Sequence, residues 1–522
     1  MNRDYKKIGK EIALKGFFSE YLPPCFYLNS KILKCVPGKD CDLIAPYTFD
    51  MSRFNGNDAR RMIYIPEICS YLASYDYIRN NNILEELVVF SEKDEHSFSK
   101  ILNNEDEIRY HEESYYGYIT SNKRNWNSSY IDNVCKKIKM ASGARKILNL
   151  DVSNCYSSFY LHMIPAILLG CDIAQNEYEN KNNKLKSENY EKYIKYAELD
   201  AIIRKQNLNR TNGLIVGTLY SRIIVEAIFA RIDIELEELG YRFVRYVDDY
   251  EVFVYGENSK NIITDFSNVL KRYGFSLNSE KTSESEFPYY LVQNFKRAVE
   301  DILVFEGSTV DRDALMELFN HFFKLENKGV KGAIRYLIKL IDQGFNDIEF
   351  DDNELYKSYL VNIMVNNERS LNKACSILIN NRDKYKLNKS DIHTIKEILD
   401  KYILYGYDLE VIWLVYLLVM TDNSDSLSGQ IDNILKSNND LAKLILYDAR
   451  LIDEEKLHNL INYAKSWILL YELYSNNAIS EDELIEKLNL QSSESKNFYK
   501  KISASNIHFI DLDRRESNLY EK

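Results

Sequence analysis

Two adjacent acids, Asp248 and Asp249, interrupt a run of aromatic and β-branched residues between Arg242 and Tyr255. Such a run favours β-strands, and a polar pair in its middle indicates the tight turn of a hairpin. A partly desolvated pair of carboxylates at a hairpin tip requires a cation beside it, and hard oxygen ligands on a rigid hairpin suit Mg²⁺. A solvated Asp-Asp turn is the alternative that the hairpin alone leaves open.

A third acid, Asp151, ends an apolar segment, residues 147–150, upstream of the hairpin. This segment predicts a strand that leads into a helix, and pairing of that strand beside the hairpin brings Asp151 against Asp248 and Asp249. Three carboxylates at one point repel one another unless divalent cations lie among them, and the backbone carbonyl of Val152 adds a further hard ligand. The arrangement predicts two-metal phosphoryl or nucleotidyl transfer, whereas a helix N-cap or turn is the alternative for Asp151 alone.

Two more segments carry residues suited to nucleotide chemistry. Gly213 and Gly217 precede a predicted helix over residues 223–236, and glycine there permits close approach of the backbone to a base or sugar. Beyond the hairpin, a short predicted strand ends with Asn278 and Lys281. A lysine near a triphosphate neutralises charge or protonates the departing pyrophosphate. The alternatives are an ordinary glycine loop before a core helix and a solvated surface lysine.

The whole chain has 522 residues, enough for two to four domains with substantial cores. Its net charge of -12 argues against non-specific coating of nucleic acid but leaves a local basic groove open. Its 8 cysteines form no C-x-x-C pair, which favours reduced thiols over a zinc site. No apolar signal core follows Met1, and the longest apolar run, residues 411–420, is too short to span a membrane. We therefore expect a soluble intracellular protein.

The sequence pattern divides the chain into four zones. The first mixes short strands and helices, and the second alternates strands with one strong helix. The third and fourth zones consist of helical segments without a strict repeat period. The predicted boundaries are 1–145, 146–290, 291–350 and 351–522.

Taken in order, these segments resemble the motifs of reverse transcriptases over about residues 45 to 300. The matching segments are 150–156 for motif A, 212–217 for motif B, 246–249 for the YxDD box of motif C, 274–282 for motif D and 60–66 for the fingers segment R-x-I-x-I-P. The resemblance implies an α/β right-hand polymerase. Its parts would be fingers in the first zone, a palm in the second, a thumb-like segment in the third and a mostly α-helical, HEAT-like region in the fourth.

The resemblance also implies roles for individual residues. The Asp151, Asp248 and Asp249 carboxylates, with the Val152 carbonyl, would hold Mg²⁺, for which Mn²⁺ can substitute, and Lys281 would act with them in catalysis. Contacts with the incoming nucleotide are implied for a further set, namely Arg60, Arg61, Tyr156, Gly217 and Asn278.

Tyr156 lies five residues after Asp151, where reverse transcriptases carry an aromatic steric gate. A ring there collides with a ribose 2′-OH, so the resemblance implies synthesis of DNA from dNTPs. Motif B departs from the template-copying pattern, because Ile-Val-Gly at 215–217 stands where Pro-Gln-Gly is common, and Thr218 replaces the proline that commonly follows. Conventional use of a template is therefore an open question.

Two phrases, residues 218–226 and 245–250, look most like the bacterial abortive-infection group, the AbiK-like or unknown-group reverse transcriptases. This resemblance implies antiphage defence in the bacterial cytoplasm and a homo-oligomer, either a trimer or a hexamer. It also implies DNA synthesis that starts on a protein tyrosine, leaves the product covalently attached and needs no template. Among 41 tyrosines, the candidates are Tyr115, Tyr116 and Tyr118 in a predicted polar loop and Tyr520 near the C-terminus.

Two alternatives belong to other functional classes. One is a reverse transcriptase that copies an associated non-coding RNA. The other is a non-catalytic scaffold or phage sensor in which the helical region binds a phage component. The intact acids Asp151, Asp248 and Asp249 count against the second alternative.

Overall fold

A computed structural model describes residues 3–38, 40–52, 60–103, 107–109, 116–120, 123–127, 129–180, 187–289, 295, 299, 309–344 and 349–514 of the chain. The strands are β1 (Tyr47–Ser52), β2 (Arg60–Ile65), β3 (Tyr116–Thr120), β4 (Lys123–Asn127), β5 (Lys146–Asp151), β6 (Phe243–Tyr246), β7 (Asp249–Val254), β8 (Ser283–Glu286), β9 (Thr309–Val310) and β10 (Glu349–Phe350). The helices of the first two zones are α1 (Tyr5–Lys15), α2 (Ile68–Asn80), α3 (Ile83–Glu92), α4 (Ser129–Met140), α5 (Cys155–Ser158), α6 (Ala166–Leu169), α7 (Cys171–Glu179), α8 (Glu188–Lys205), α9 (Leu219–Glu238) and α10 (Ser259–Arg272).

The rest of the described chain is mostly helical, as the sequence predicts for the third and fourth zones. Its helices are α11 (Arg312–Asn327), α12 (Ala333–Gly344), α13 (Asn353–Asn366), α14 (Glu368–Asn380), α15 (Lys389–Tyr405), α16 (Asp408–Met420), α17 (Ile431–Lys436), α18 (Asp440–Asp448), α19 (Glu454–Tyr463), α20 (Trp467–Ser475), α21 (Glu481–Leu488) and α22 (Ser493–Ala504). Across the described residues, no helix combines the length and the hydropathy that a membrane crossing requires.

The acid-bearing hairpin belongs to a sheet of four antiparallel strands in the order β6-β7-β5-β8. Leu148 and Val252 pair across the two central strands, and both side chains are fully buried. On the face that Tyr250 occupies, Phe229 of α9 and Phe266 of α10 have ring centroids 6.2 and 5.5 Å from the Tyr250 ring. Packing of these two helices on the sheet fixes the orientation of the hairpin.

Helix α9 follows the glycine segment and is longer than predicted. The expected helix is present and begins directly after Thr218, whose hydroxyl accepts the Ser221 N–H at 3.3 Å. Before the helix, the Tyr64 N–H of β2 donates to the Val216 carbonyl at 2.7 Å. Gly217 has a φ of +128°, and a Cβ atom there would lie 2.8 Å from the Tyr64 carbonyl oxygen. Gly217 therefore allows strand β2 to lie close to the backbone of the glycine segment.

The N-terminal residues pack into the C-terminal helical region. The Trp467 ring of α20 has centroid distances of 6.1 Å to Phe17 and 5.2 Å to Phe509, and the Tyr27 N–H donates to the Phe509 carbonyl at 3.2 Å. Buried apolar side chains from all four predicted zones form one continuous cluster in the described part of the chain. The zones therefore share a core, and their boundaries stay a prediction.

The segment that carries Tyr116 and Tyr118 differs from the sequence-based expectation. The prediction of a polar loop there is wrong, because β3 pairs antiparallel with β4 over Tyr116–Thr120. Tyr115 and Tyr520 lie outside the described residues, as do the side chains of Tyr116 and Tyr118. The choice of a priming tyrosine therefore stays a prediction.

Candidate active site

The three acids lie together at one end of the central sheet. Strands β5 and β7 pair antiparallel with Asp151 directly opposite Asp249, and residues that face each other in such a pair have Cβ atoms about 5 Å apart. The Val152 N–H donates to the Asp248 carbonyl at 3.1 Å, which holds the hairpin tip beside the end of β5. The strand pairing that the sequence suggested thus brings Asp151, Asp248 and Asp249 to one site.

The carboxylates are crowded enough to shift their protonation. Burial and the neighbouring Asp151 raise the pKa of Asp248 above its usual range. Burial, Asp248 and Asp151 together raise the pKa of Asp249 to about 7. The positive charges of Arg61 and Lys281 oppose the rise in the pKa of Asp248 without cancelling it. Three carboxylates thus share a partly desolvated site with two cationic side chains, and an added cation would favour their ionised forms.

A short segment after α10 brings a lysine to the acids. The Asn278 N–H donates to the Asp151 carbonyl at 2.7 Å, and the Asn278 side chain accepts the Glu280 N–H at 3.1 Å. This turn places the Lys281 ammonium 2.7 Å from an Asp151 carboxylate oxygen, with 54% of the lysine side chain exposed. Asn278 thus shapes the turn that positions Lys281.

Tyr156 lies on α5, between the acids and the glycine segment. Its carbonyl accepts the Leu214 N–H at 2.8 Å, and its partly buried ring packs against the core. Burial raises the pKa of the Tyr156 hydroxyl well above its usual range, and the charges of Asp248 and Arg61 act on the same group. The Tyr156 hydroxyl therefore lies within electrostatic range of Asp248.

The adjacent arginines of β2 have different surroundings, because side chains alternate between the two faces of a strand. Arg60 donates two hydrogen bonds to Asp50, at 2.6 and 2.9 Å, and two to Glu410 of α16. Arg61 is exposed, and its charge acts on Asp248. The resemblance implies nucleotide contacts for both arginines, and these contacts stay a prediction. In the structure, Arg60 forms ion pairs with Asp50 of β1 and Glu410 of α16.

A divalent cation fits the chemistry of these donors. Within the described ranges, no group of three or more His, Cys, Asp or Glu side chains is arranged as a metal site. The Asp151 carboxylate is instead paired with Lys281. The available donors are hard carboxylate oxygens with excess negative charge, and Mg²⁺ and Mn²⁺ prefer such ligands.

A buried arginine behind the hairpin turn was not predicted from the sequence. The Arg245 side chain is fully buried and forms ion pairs with Asp94, Glu226 and Asp233. These four residues are called the Arg245 cluster below. Burial raises the pKa of Asp233 well above its usual range. The signal that could have revealed the cluster is a pair of acids two turns apart on one apolar face of α9, with an arginine inside an apolar strand.

Two solved structures to which the chain is similar have low sequence identity to it. No family model and no curated protein matches the chain. Among solved structures, it is similar to telomerase from Candida albicans in complex with the TWJ fragment of telomeric RNA, at 14% identity and a TM-score of 0.30, covering 74% of this chain and 65% of that one. It is also similar to apo telomerase from Candida tropicalis, at 11% identity and a TM-score of 0.32, covering 77% of this chain and 68% of that one. The chain thus spans less than two thirds of the first telomerase. TM-scores this low do not define a shared fold, so the assignment of function depends on the site itself.

Proposed function

We propose that the chain is a nucleotidyltransferase of the reverse-transcriptase type that joins deoxynucleotides into DNA. The observation that carries this proposal is the meeting of Asp151, Asp248 and Asp249 at the end of the β5–β7 pair. The flanking cations Lys281 and Arg61 support it, because their charges act on the same acids and suit a triphosphate. Clustered carboxylates with cations at their edge are the parts that phosphoryl transfer requires.

Mg²⁺, or Mn²⁺ in its place, would be held by the carboxylates of Asp151, Asp248 and Asp249 and by the Val152 carbonyl. When bound there, Mg²⁺ would supply a lower pKa for an attacking hydroxyl and stabilisation of the leaving oxygen. The protein's own task is to keep the three carboxylates at one place, which the β5–β7 pairing does. The Lys281 ammonium is more than half exposed, so it is free to turn towards a departing pyrophosphate and protonate it.

For the substrate, we propose dNTPs and exclude ribonucleotides. The support is the position of Tyr156 where the resemblance implies a steric gate, together with the electrostatic interaction between its hydroxyl and Asp248. Arg61, exposed on β2, would contact the triphosphate. Gly217 and Asn278 act through the backbone, because Gly217 lets β2 approach and Asn278 ties the Lys281 turn to Asp151.

The proposal extends to antiphage defence by a bacterial, cytoplasmic homo-oligomer that primes DNA synthesis on its own tyrosine and needs no template. The support is the resemblance of residues 218–226 and 245–250 to the abortive-infection group and the lack of Pro-Gln-Gly at 215–217.

The experiment uses purified protein stripped of nucleic acid and incubated with dNTPs and Mg²⁺ alone. DNA that stays attached to the denatured protein supports protein priming without a template. Strict dependence on added RNA would favour copying of a non-coding RNA, and sequencing of nucleic acid that copurifies with the chain would then identify the template. A lack of incorporation under every condition would contradict the polymerase and favour a scaffold or phage sensor.

A further inference from the structure

The turn that carries Asp248 and Asp249 is strained and held from behind. Val247 has a φ of +56°, a left-handed conformation that is unfavourable for a β-branched residue. Both of its backbone polar groups are bound. Its N–H donates to the Ser99 hydroxyl at 2.9 Å, and its carbonyl accepts from Arg245 Nη1 at 2.9 Å. Because such strain persists only where the surroundings impose it, these two contacts hold the turn in place.

All three guanidinium nitrogens of Arg245 donate hydrogen bonds. Nε donates to Asp233 at 2.6 Å, and Nη1 donates to Glu226 at 3.2 Å and to the Val247 carbonyl at 2.9 Å. Nη2 donates to Asp94 at 3.1 Å and to Glu226 at 3.2 Å. These bonds engage all the N–H donors that a guanidinium has, so a lysine cannot reproduce them.

Ser99 joins the Arg245 cluster to the turn. Its hydroxyl donates to Glu226 at 2.9 Å and accepts the Val247 N–H. The backbone N–H and carbonyl of Arg245 bond to the segment 96–98 at 2.9 and 2.8 Å, which holds this segment alongside β6. Hydrogen bonds thus run from Arg245 through Glu226 and Ser99 to Val247, and back to Arg245.

We propose that Arg245 and Ser99 are positioning residues, which hold the turn in the one conformation in which Asp248 and Asp249 face Asp151 for cation binding and nucleotidyl transfer. The inference rests on the proposed function, because it concerns the ions and the reaction of that site. Neither residue touches a substrate, since both act through Val247. Without their hydrogen bonds, Val247 is free to relax to a negative φ, and the peptide that carries Asp248 rotates away from the end of β5.

The test compares Arg245→Lys and Ser99→Ala with the wild type in three measurements. These are Mn²⁺ affinity by electron paramagnetic resonance, hydrogen exchange over residues 244–250, and the kcat and KM of dNTP incorporation. Losing one hydrogen bond at the turn should weaken Mn²⁺ binding and speed exchange about tenfold each in Ser99→Ala, with larger effects in Arg245→Lys. The kcat should fall, whereas the KM for dNTP should stay within about threefold, because the nucleotide contacts remain.

Arg335→Lys is the matched control for loss of a buried guanidinium. Arg335 lies in α12, is buried, and donates to the Arg369 carbonyl and to Asn372. This variant should lower the melting temperature without changing Mn²⁺ affinity or exchange at the turn. If Arg245→Lys does not fold, Ser99→Ala decides the outcome.

A second substitution shows whether Ser99 acts through Val247. Glycine adopts a positive φ without strain, so adding Val247→Gly to Ser99→Ala should restore Mn²⁺ affinity to within about threefold of the wild type. Wild-type Mn²⁺ binding and exchange in Ser99→Ala and Arg245→Lys would overturn the inference. A separate variant, Asp248→Asn, tests the proposed function. If Asp248→Asn binds Mn²⁺ and incorporates dNTP like the wild type, the proposed function is wrong. In that case the exchange measurement still decides whether the cluster holds the turn.

Discussion

Substitution of Arg60 by alanine tests whether this arginine stabilises the fold or binds the nucleotide. The guanidinium forms paired hydrogen bonds with Asp50 and with Glu410, and its Cζ atom lies 3.8 Å from the centroid of the Tyr407 ring. The Glu410 side chain is only 2% exposed, so the substitution leaves a buried carboxylate without its partner. Breaking a buried pair in this way costs about 3–5 kcal/mol of unfolding free energy. For a cooperative unit of this size, the melting temperature should therefore fall by about 3–5 °C.

Calorimetry of Arg60→Ala and Arg61→Ala, combined with single-nucleotide incorporation at a temperature where both fold, is the assay. Arg61 is exposed, so Arg61→Ala should keep the melting temperature within about 2 °C. Loss of its charge-assisted contact should raise the KM for dNTP about tenfold. Adding Glu410→Gln to Arg60→Ala should recover part of the lost stability, because it removes the unpaired buried charge.

The prediction would be refuted if Arg60→Ala changed the KM for dNTP and Arg61→Ala changed the melting temperature. If Arg60→Ala melted like the wild type but raised the KM for dNTP, the Arg60 side chain would leave Glu410 and bind the nucleotide. The interpretation of the first β2 arginine as a link to α16 would then be wrong.

Three further predictions concern the glycine segment, the β1–α16 contact and the substrate. Gly217→Ala should destabilise the fold by about 2–4 kcal/mol in thermal melts, because the added Cβ meets a β2 carbonyl at 2.8 Å and φ is +128°. Gly170→Ala, with a φ of +77° and nothing within 4 Å, should cost about 1 kcal/mol. Burial and the neighbouring Asp50 raise the pKa of Asp408 from 3.8 to about 7. Between these two pH values the folded chain keeps a proton that the unfolded chain has lost. The free energy of unfolding therefore falls as the pH rises towards 7. Asp408→Asn should remove that loss and stabilise the protein by about 1–3 kcal/mol at pH 8 but not at pH 4, which melts across this range will check. Tyr156→Ala should raise ribonucleotide incorporation relative to dNTP at least about tenfold, and an unchanged ratio would contradict a steric role for the ring.

The meeting of the three acids could be predicted from the sequence, because a strand ending in Asp151 and a polar pair at a turn are local patterns. The different surroundings of Arg60 and Arg61 could not. They depend on which face of β2 meets a C-terminal helix, and the partner Glu410 lies 350 residues further along the chain. Strand alternation shows that the two side chains diverge, but only the tertiary packing shows which of them faces the acids.

The contacts that fix the hairpin turn could not be predicted from local sequence patterns either. Arg245 sits among aromatic and β-branched residues, where a charged side chain normally faces solvent. Its partners come from the segment before β3 and from α9, so the cluster exists only once these elements pack together. A positive φ at Val247 could not be expected either, since β-branched residues disfavour it.

The three-acid site is tested most directly by dNTP-dependent pyrophosphate release from Asp151→Asn, Asp248→Asn and Asp249→Asn. Asparagine has nearly the same shape as aspartate but no charge, so the fold should persist while the negative charge is lost. Each variant should melt at or above the wild-type temperature and lose at least about 1000-fold in rate, equivalent to about 4 kcal/mol of transition-state stabilisation. A folded variant of any of the three acids that kept the wild-type rate would contradict the account.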